Sequence, residues 1–326
     1  MKIFFVTKAL TDLAEEKTLV IDEIKKALLR KDWIEETNDP NEADALIIQE
    51  KWSYKDFRYL KRIEDDPFIS KYISKVFTLN SDDCATGIFR GLYICITKSK
   101  LDNKLHASVP FLDYFNQTPF EKEFLLPEPK YLASWRGNPM SNKVRPKMIK
   151  LFGSNSEFCI ESTDTWLNHS NDEKENYINL ILNSKFSLCP GGWAPSSIRI
   201  FESMALGRCP VIIADEFSPP KGPAWHEFAL FFPEKDIKNL PRFLHEHESS
   251  FKELGLKAKE AWHTFFDKEH IADYYANSLL QIIRSTTHLT YASEINRWKS
   301  FHFYKINGWT LSQRIIIKIK NFLPFF

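Results

Sequence analysis

Short apolar runs alternate with amphipathic stretches along most of the chain. Residues 3–6, 45–48, 76–79 and 92–96 read as buried strands, and Leu19–Leu29 as a helix with Ile21, Ile24 and Leu28 on one face. Residues 116–130, with Pro119, Pro127 and Pro129 among charges, break the pattern and are expected to link two domains. The alternation then resumes, with strands expected at 131–135, 158–160, 186–188 and 211–214. Helices are expected at 142–152, 175–182 and 196–206, and helical patterns dominate from 236 to about 283. Two such alternations predict an α/β chain of two Rossmann-like, doubly wound domains with parallel sheets. The expected domains are 1–122, 123–285 and a basic amphipathic C-terminal tail at 286–326.

Composition changes this picture little. The chain has 326 residues, above the size at which single cores usually stop growing. Its 44 Lys+Arg balance 43 Asp+Glu, so net charge gives no reason to expect a nucleic-acid partner. The distribution is uneven. Residues 291–326 carry a net +5, which leaves the remainder near −4. The five cysteines, Cys84, Cys95, Cys159, Cys189 and Cys209, form no CxxC pair, so reduced thiols are expected rather than a disulfide framework or a zinc site. The apolar N-terminal run is too short for a signal peptide, and no apolar stretch reaches the length of a membrane span.

The chemistry concentrates in residues 185–220, KFSLCPGGWAPSSIRIFESMALGRCPVIIADEFSPP. They read as strand, glycine turn, helix, strand and acidic loop. Gly191 and Gly192 let the backbone turn tightly, and Ser196 and Ser197 suit the N-cap of the next helix. A helix that starts at a strand's carboxyl end offers N–H groups and a positive dipole end to a diphosphate. Arg199 and Glu202, three residues apart, either face such a ligand or form an ordinary surface ion pair.

Taken at full length, this segment resembles the exostosin family of glycosyltransferases. The matching residues are Lys185 to Pro190, Ser197-Ile198-Arg199, Phe201 to Ala205, Gly207, and Pro210-Val211-Ile212 with Asp215. Pro219-Pro220, Trp225 and Glu234 to Ile237 follow in the family's order, and Trp135-Arg136-Gly137 and Arg145 precede it. The resemblance covers about residues 130–245 and implies the GT-B architecture, two Rossmann-like domains facing a cleft. It implies an inverting transfer from a nucleotide-sugar, a UDP-sugar by family habit, to a glycan or lipid-linked saccharide in surface polysaccharide synthesis. Glu202 would then accept from the donor ribose, and Arg136 and Arg199 would face the diphosphate or the sugar. Arg145 is a donor-site candidate that can equally pair with local carboxylates. Asp215 would hold sugar hydroxyls or serve a turn, and Trp193 would stack on the ligand or cap the core.

An inverting reaction asks for a base, expected after a strand of the N-terminal domain, where Glu50, Asp82 and Asp83 stand. Acids there are also common turn residues. No D-x-D occurs, so metal-independent chemistry with no cofactor is expected, and His245-Glu246-His247 lacks metal-ligand spacing. Residues 309–326 have the spacing of an amphipathic helix with a basic side. It would either touch a membrane surface peripherally or pack back on the N-terminal domain. With no leader or anchor in view, the expected location is cytoplasmic, at the inner membrane face. Two other readings stand beside this one: a fucosyltransferase of the same architecture using GDP-fucose, and a catalytically silent glycan-binding module.

Overall fold

Every ladder that builds the two sheets is parallel, as continuous apolar strand sequences require when helices cover both faces. The computed structural model describes residues 1–16, 18–114, 116–164, 170–286 and 289–322. Packing divides the chain into one unit of Met1–Ser108 with Tyr275–Phe326 and a second of Val109–Tyr274.

The first unit opens with β1 (Lys2–Phe5), α1 (Leu19–Leu29), β2 (Glu35–Glu36) and β3 (Ala45–Gln49). It continues with α2 (Phe57–Asp65), α3 (Pro67–Tyr72), β4 (Val76–Asn80), β5 (Arg90–Tyr93) and β6 (His106–Ser108). The strands lie in the order β2-β1-β3-β4-β5-β6. β3 and β4 are buried along their whole length, which explains why their sequences show no polar alternation. Asp66 separates α2 from α3 because its carboxylate accepts from the Phe68 and Ile69 N–H groups, with Pro67 set in the first turn.

The second unit holds α4 (Thr118–Glu121), β7 (Tyr131–Gly137), α5 (Val144–Phe152), β8 (Phe158–Ser162), α6 (Asn171–Leu182) and β9 (Ser184–Pro190). α7 (Ile198–Ala205), β10 (Cys209–Ile213), β11 (Leu230–Phe231), α8 (Leu240–Glu246) and α9 (Phe251–Phe265) follow. α10 (Ile271–Ser285) carries the chain back into the first unit. The strand order is β8-β7-β9-β10-β11. Phe186, Leu188, Val211 and Ile213 pack with Met148, Phe152 and Leu240 on one face, and Cys189 and Ile212 with Phe201, Met204 and Trp262 on the other. The sheet is therefore doubly wound. In both units the first and third strands are neighbours, the switch point at which open α/β sheets bind ligands outside the strands' carboxyl ends. One parallel α/β sheet per unit is the composition of the GT-B architecture.

Three expectations need correction. The division falls after Ser108 and Tyr274 rather than after residues 122 and 285. Residues 116–130 are not a linker between units, because the Phe120 ring lies tilted against Tyr114 at 4.0 Å and against Trp262 at 4.9 Å, packed on the second core. Pro119, read as a breaker, lies in the first turn of α4, where proline is tolerated. Nor is 286–326 a separate tail. It forms α11 (Tyr291–Lys299), α12 (Phe301–Ile306) and α13 (Leu311–Phe322). Trp298, Phe303 and Trp309 join Phe4, Leu46, Ile48 and Val76 in the first unit's core. The Trp298 indole N–H donates to the Ile88 carbonyl at 2.8 Å. The last four residues of the expected tail lie outside the described residues.

Backbone contact between α9 and the end of α7 fixes that face of the second unit. A Cβ on Gly255 would stand 2.3 Å from the Gly207 carbonyl oxygen. In an open helix, Gly→Ala gains about 1 kcal/mol, so the two effects oppose each other. We expect the clash to win, with Gly255→Ala lowering stability by about 1–3 kcal/mol in urea unfolding. A stabilised variant would show that the two backbones are not in contact.

Candidate active site

The second unit's switch point lies between β7 and β9, and the site is built at their carboxyl ends. β7 ends in Arg136-Gly137 and β9 in Pro190, followed by Gly191 and Gly192. Arg145, on the first turn of α5, reaches across both strand ends. Its Nε donates to the Gly191 carbonyl at 2.9 Å, Nη1 to the Asn138 carbonyl at 2.9 Å and Nη2 to the Pro190 carbonyl at 3.4 Å. A Cβ on Gly192 would approach Arg145 Nη2 to 3.3 Å, so the glycine leaves room for the guanidinium. Arg145 thus clamps the glycine turn, with its donors engaged by backbone oxygens. Burial pulls its pKa down to about 10, helped by the neighbouring charge of Arg199.

Arg199, in the first turn of α7, is buried between two rings, 5.8 Å from the Trp135 centroid and 5.3 Å from that of Tyr177. Its Nη2 donates to the Arg136 carbonyl, and Gly137 gives it space. Among the described residues, Arg199 Nε and Trp135 Nε1 are buried donors with no hydrogen-bond partner. Glu202 is also buried and accepts from the Tyr177 hydroxyl. Burial raises the Glu202 pKa, against the lowering effects of that bond and of Arg199. Burial opposes the charge of Arg199, yet its pKa is raised, with Tyr177, Cys189 and Glu202 favouring the cation. Arg199 and Glu202 are therefore not a solvated surface pair. Tyr177 of α6 joins them, a residue that sequence reasoning missed because nothing local marks it out.

The remaining candidates divide. Arg136 pairs with Glu161 at 2.6 Å and lies 3.6 Å from Glu173, so its fork is turned towards β8 and α6. Ser197 occupies the α7 N-cap position without a side-chain cap bond, and Ser196 beside it is buried. The first N–H groups of α7 are thus left without the serine cap that the sequence suggested. Trp193 is 60% exposed beside the glycine turn. Asp215 is exposed and turn-forming: its N–H donates to Glu234 Oε1 at 3.3 Å, and its Oδ1 accepts the Glu234 N–H at 3.1 Å.

In the first unit the three acids differ sharply. Glu50 and Asp82 are sealed in a network around Lys55. Glu50 accepts from the Thr78 hydroxyl at 2.7 Å, the Asn80 amide at 2.9 Å and the Tyr59 hydroxyl at 3.3 Å. Asp82 accepts from the Ser53 N–H at 3.0 Å and the Asn80 amide at 3.1 Å. Asp83, half-buried, accepts a weak bond from Cys95 Sγ at 3.8 Å, and burial raises its pKa above the usual carboxylate range. Among the described residues, no group of three His, Cys, Asp or Glu is placed to hold a metal ion. His245 is engaged by Glu248 at 2.9 Å, and His247 by the Phe243 carbonyl at 2.9 Å.

Residues 94–247 match the Exostosin GT47 domain. The chain is similar to a probable glucuronoxylan glucuronosyltransferase of Arabidopsis thaliana, 39% identical over 113 residues, covering 34% of this chain and 22% of that protein. It is similar to a probable glucuronosyltransferase of Oryza sativa subsp. japonica, 36% identical over 110 residues, covering 33% and 24%. A probable beta-1,4-xylosyltransferase of Arabidopsis thaliana is 40% identical over 77 residues, covering 23% and 19%. These matches span less than a quarter of each relative's length. Among solved structures, TarM is similar with a TM-score of 0.41 at 10% identity, covering 76% of this chain and 56% of its own. MurG of Acinetobacter baumannii follows with a TM-score of 0.35 at 7% identity, covering 86% and 99%. The stretch 94–247 that carries this likeness to the Exostosin GT47 domain includes the β7/β9 switch point with Arg145, Arg199 and Glu202.

Proposed function

We propose that the chain is an inverting glycosyltransferase that moves a sugar from a nucleotide diphosphate donor to a saccharide or lipid-linked saccharide acceptor. The observation that carries this reading is the convergence at the β7/β9 switch point of a glycine turn, a helix start lacking its serine cap and the buried guanidinium of Arg199. The diphosphate charge falls to Arg199 and the N–H groups of α7, in the manner of anion sites at helix starts. The unpartnered Arg199 Nε and Trp135 Nε1 are donors that such a ligand can use after a small shift. Glu202, held by Tyr177, is assigned to the ribose, and Trp193 offers an exposed ring for stacking. Arg145 acts as a positioning residue that holds the turn. In the reaction, the acceptor hydroxyl oxygen forms the new bond to the anomeric carbon as the bond to the diphosphate oxygen breaks. A carboxylate takes the hydroxyl proton, and Asp83, with its raised proton affinity and partial exposure, is the assigned base.

The test is thermal shift of the full chain against a nucleotide-sugar panel, followed by transfer to oligosaccharide acceptors. The names of the relatives put glucuronosyl and xylosyl donors first, supplied as their UDP-sugars, with GDP-fucose as the contrasting donor. Donor saturating at 100 times its Kd adds about 2.7 kcal/mol of stability and raises the melting temperature. Asp83→Asn is expected to keep that shift and lose transfer by about 100-fold or more. No shift with any donor refutes the transferase reading, and full transfer by Asp83→Asn refutes the base.

A further inference from the structure

The last described helix has a face that the rest of the fold does not cover. Leu311, Ile315 and Ile319, four residues apart, form one stripe on α13 and are 67%, 48% and 52% exposed, with Ile316 beside them at 51%. Arg314, from another side of the same helix, lays its guanidinium over the Phe57 ring at 4.3 Å. The helix is thus anchored to the start of α2 by one side while its aliphatic stripe faces outward. The loop that ends at Phe57 carries two exposed aromatics, Trp52 at 63% and Tyr54 at 79%. No helix among the described residues is long and apolar enough to cross a membrane.

We propose that α13, together with the 51–56 loop, seats the first unit on an anionic lipid surface, with the helix lying in the plane of the interface. Three observations select that occupant. An aliphatic stripe on a short helix bearing Arg314, Lys318 and Lys320 and no acid is the composition of an in-plane interfacial helix. The net +5 of residues 291–326 against the near −4 of the remainder gives this end of the chain an attraction for anionic headgroups. A second copy of the same face would instead bring two like charges together. Trp and Tyr are the aromatics that settle at headgroup level, where one end of the ring is apolar and the other wet. The inference is independent of the donor site.

The experiment is co-sedimentation of the full chain with vesicles of phosphatidylcholine alone or mixed with phosphatidylglycerol. Binding is expected to the mixed vesicles, to weaken with salt, and to fall about 10-fold or more in Ile315→Glu/Ile319→Glu. Both replaced side chains are half-exposed, so the melting temperature should hold. Lys318→Gln/Lys320→Gln, which leaves the apolar stripe intact, is expected to reduce binding to the mixed vesicles by a smaller factor. Equal binding to both vesicle types, unchanged binding by both double variants, or a dimer in solution that Ile315→Glu/Ile319→Glu makes monomeric, would each overturn the proposal.

Discussion

Arg199→Ala is expected to lower glycosyl transfer by about 100- to 1,000-fold, the scale on which removal of one preorganised charge-stabilising donor acts. The guanidinium is buried between Trp135 and Tyr177, where little water is at hand to replace it, and its Nε has no partner among the described residues. A charge in that setting acts on a diphosphate more strongly than one on the surface, because the local dielectric is low. Arg199→Lys keeps the charge but loses the planar fork, so partial activity is expected, with weakened donor binding. Glu202→Gln separates the ribose role from scaffolding. Its amide oxygen can still accept from Tyr177, so the fold should stand while donor affinity falls. These outcomes are read from donor titration and single-turnover transfer in each variant. If Arg199→Ala only lowers the melting temperature and binds UDP as the parent does, Arg199 is a packing residue and the diphosphate lies elsewhere.

The second unit was legible because its elements are long, apolar and punctuated by glycine. The strand expected at 186–188 lies within Ser184–Pro190, and the helix expected at 196–206 forms over the shorter span Ile198–Ala205. Arg199 and Glu202 were visible as an i, i+3 pair; their burial was not. Burial depends on Tyr177 and Trp135, which come from α6 and β7 and are brought in only by the fold. Arg145 was read as either a ligand group or an ion-pair partner, and the hydrogen bonds described for it go to no carboxylate. Backbone carbonyls at strand ends engage it, and carbonyls carry no sequence signature. In the first unit, α2 and α3 were missed although Tyr59, Leu60 and Ile63 of α2 share one buried face, and β6 because three residues are too few to show a period. The C-terminal helices were read as a tail because their charge is conspicuous and their three core aromatics are spaced too widely to form a run.

Lys55→Met is expected to destabilise the first unit by about 3–5 kcal/mol, the cost of stripping a buried charge of its partner. The Lys55 side chain is 1% exposed, and its ammonium meets Asp82, lies 3.7 Å from Glu50 and donates to the Lys51 carbonyl at 3.3 Å. Burial lowers its pKa, against the raising effect of Glu50. With the ammonium gone, both carboxylates stay inside with only neutral donors and no compensating charge. Lys55→Met/Asp82→Asn is expected to recover part of the loss, and the double-mutant cycle gives the coupling. Urea unfolding of the parent and the variants reads both. A Lys55→Met deficit below about 1 kcal/mol would show that the network carries no such charge, since exposed pairs are worth that little. A large deficit, partly recovered in the double variant, would place Glu50 and Asp82 in the scaffold. It would also show that this network pins the 51–56 loop, with Trp52 and Tyr54, to the ends of β3 and β4.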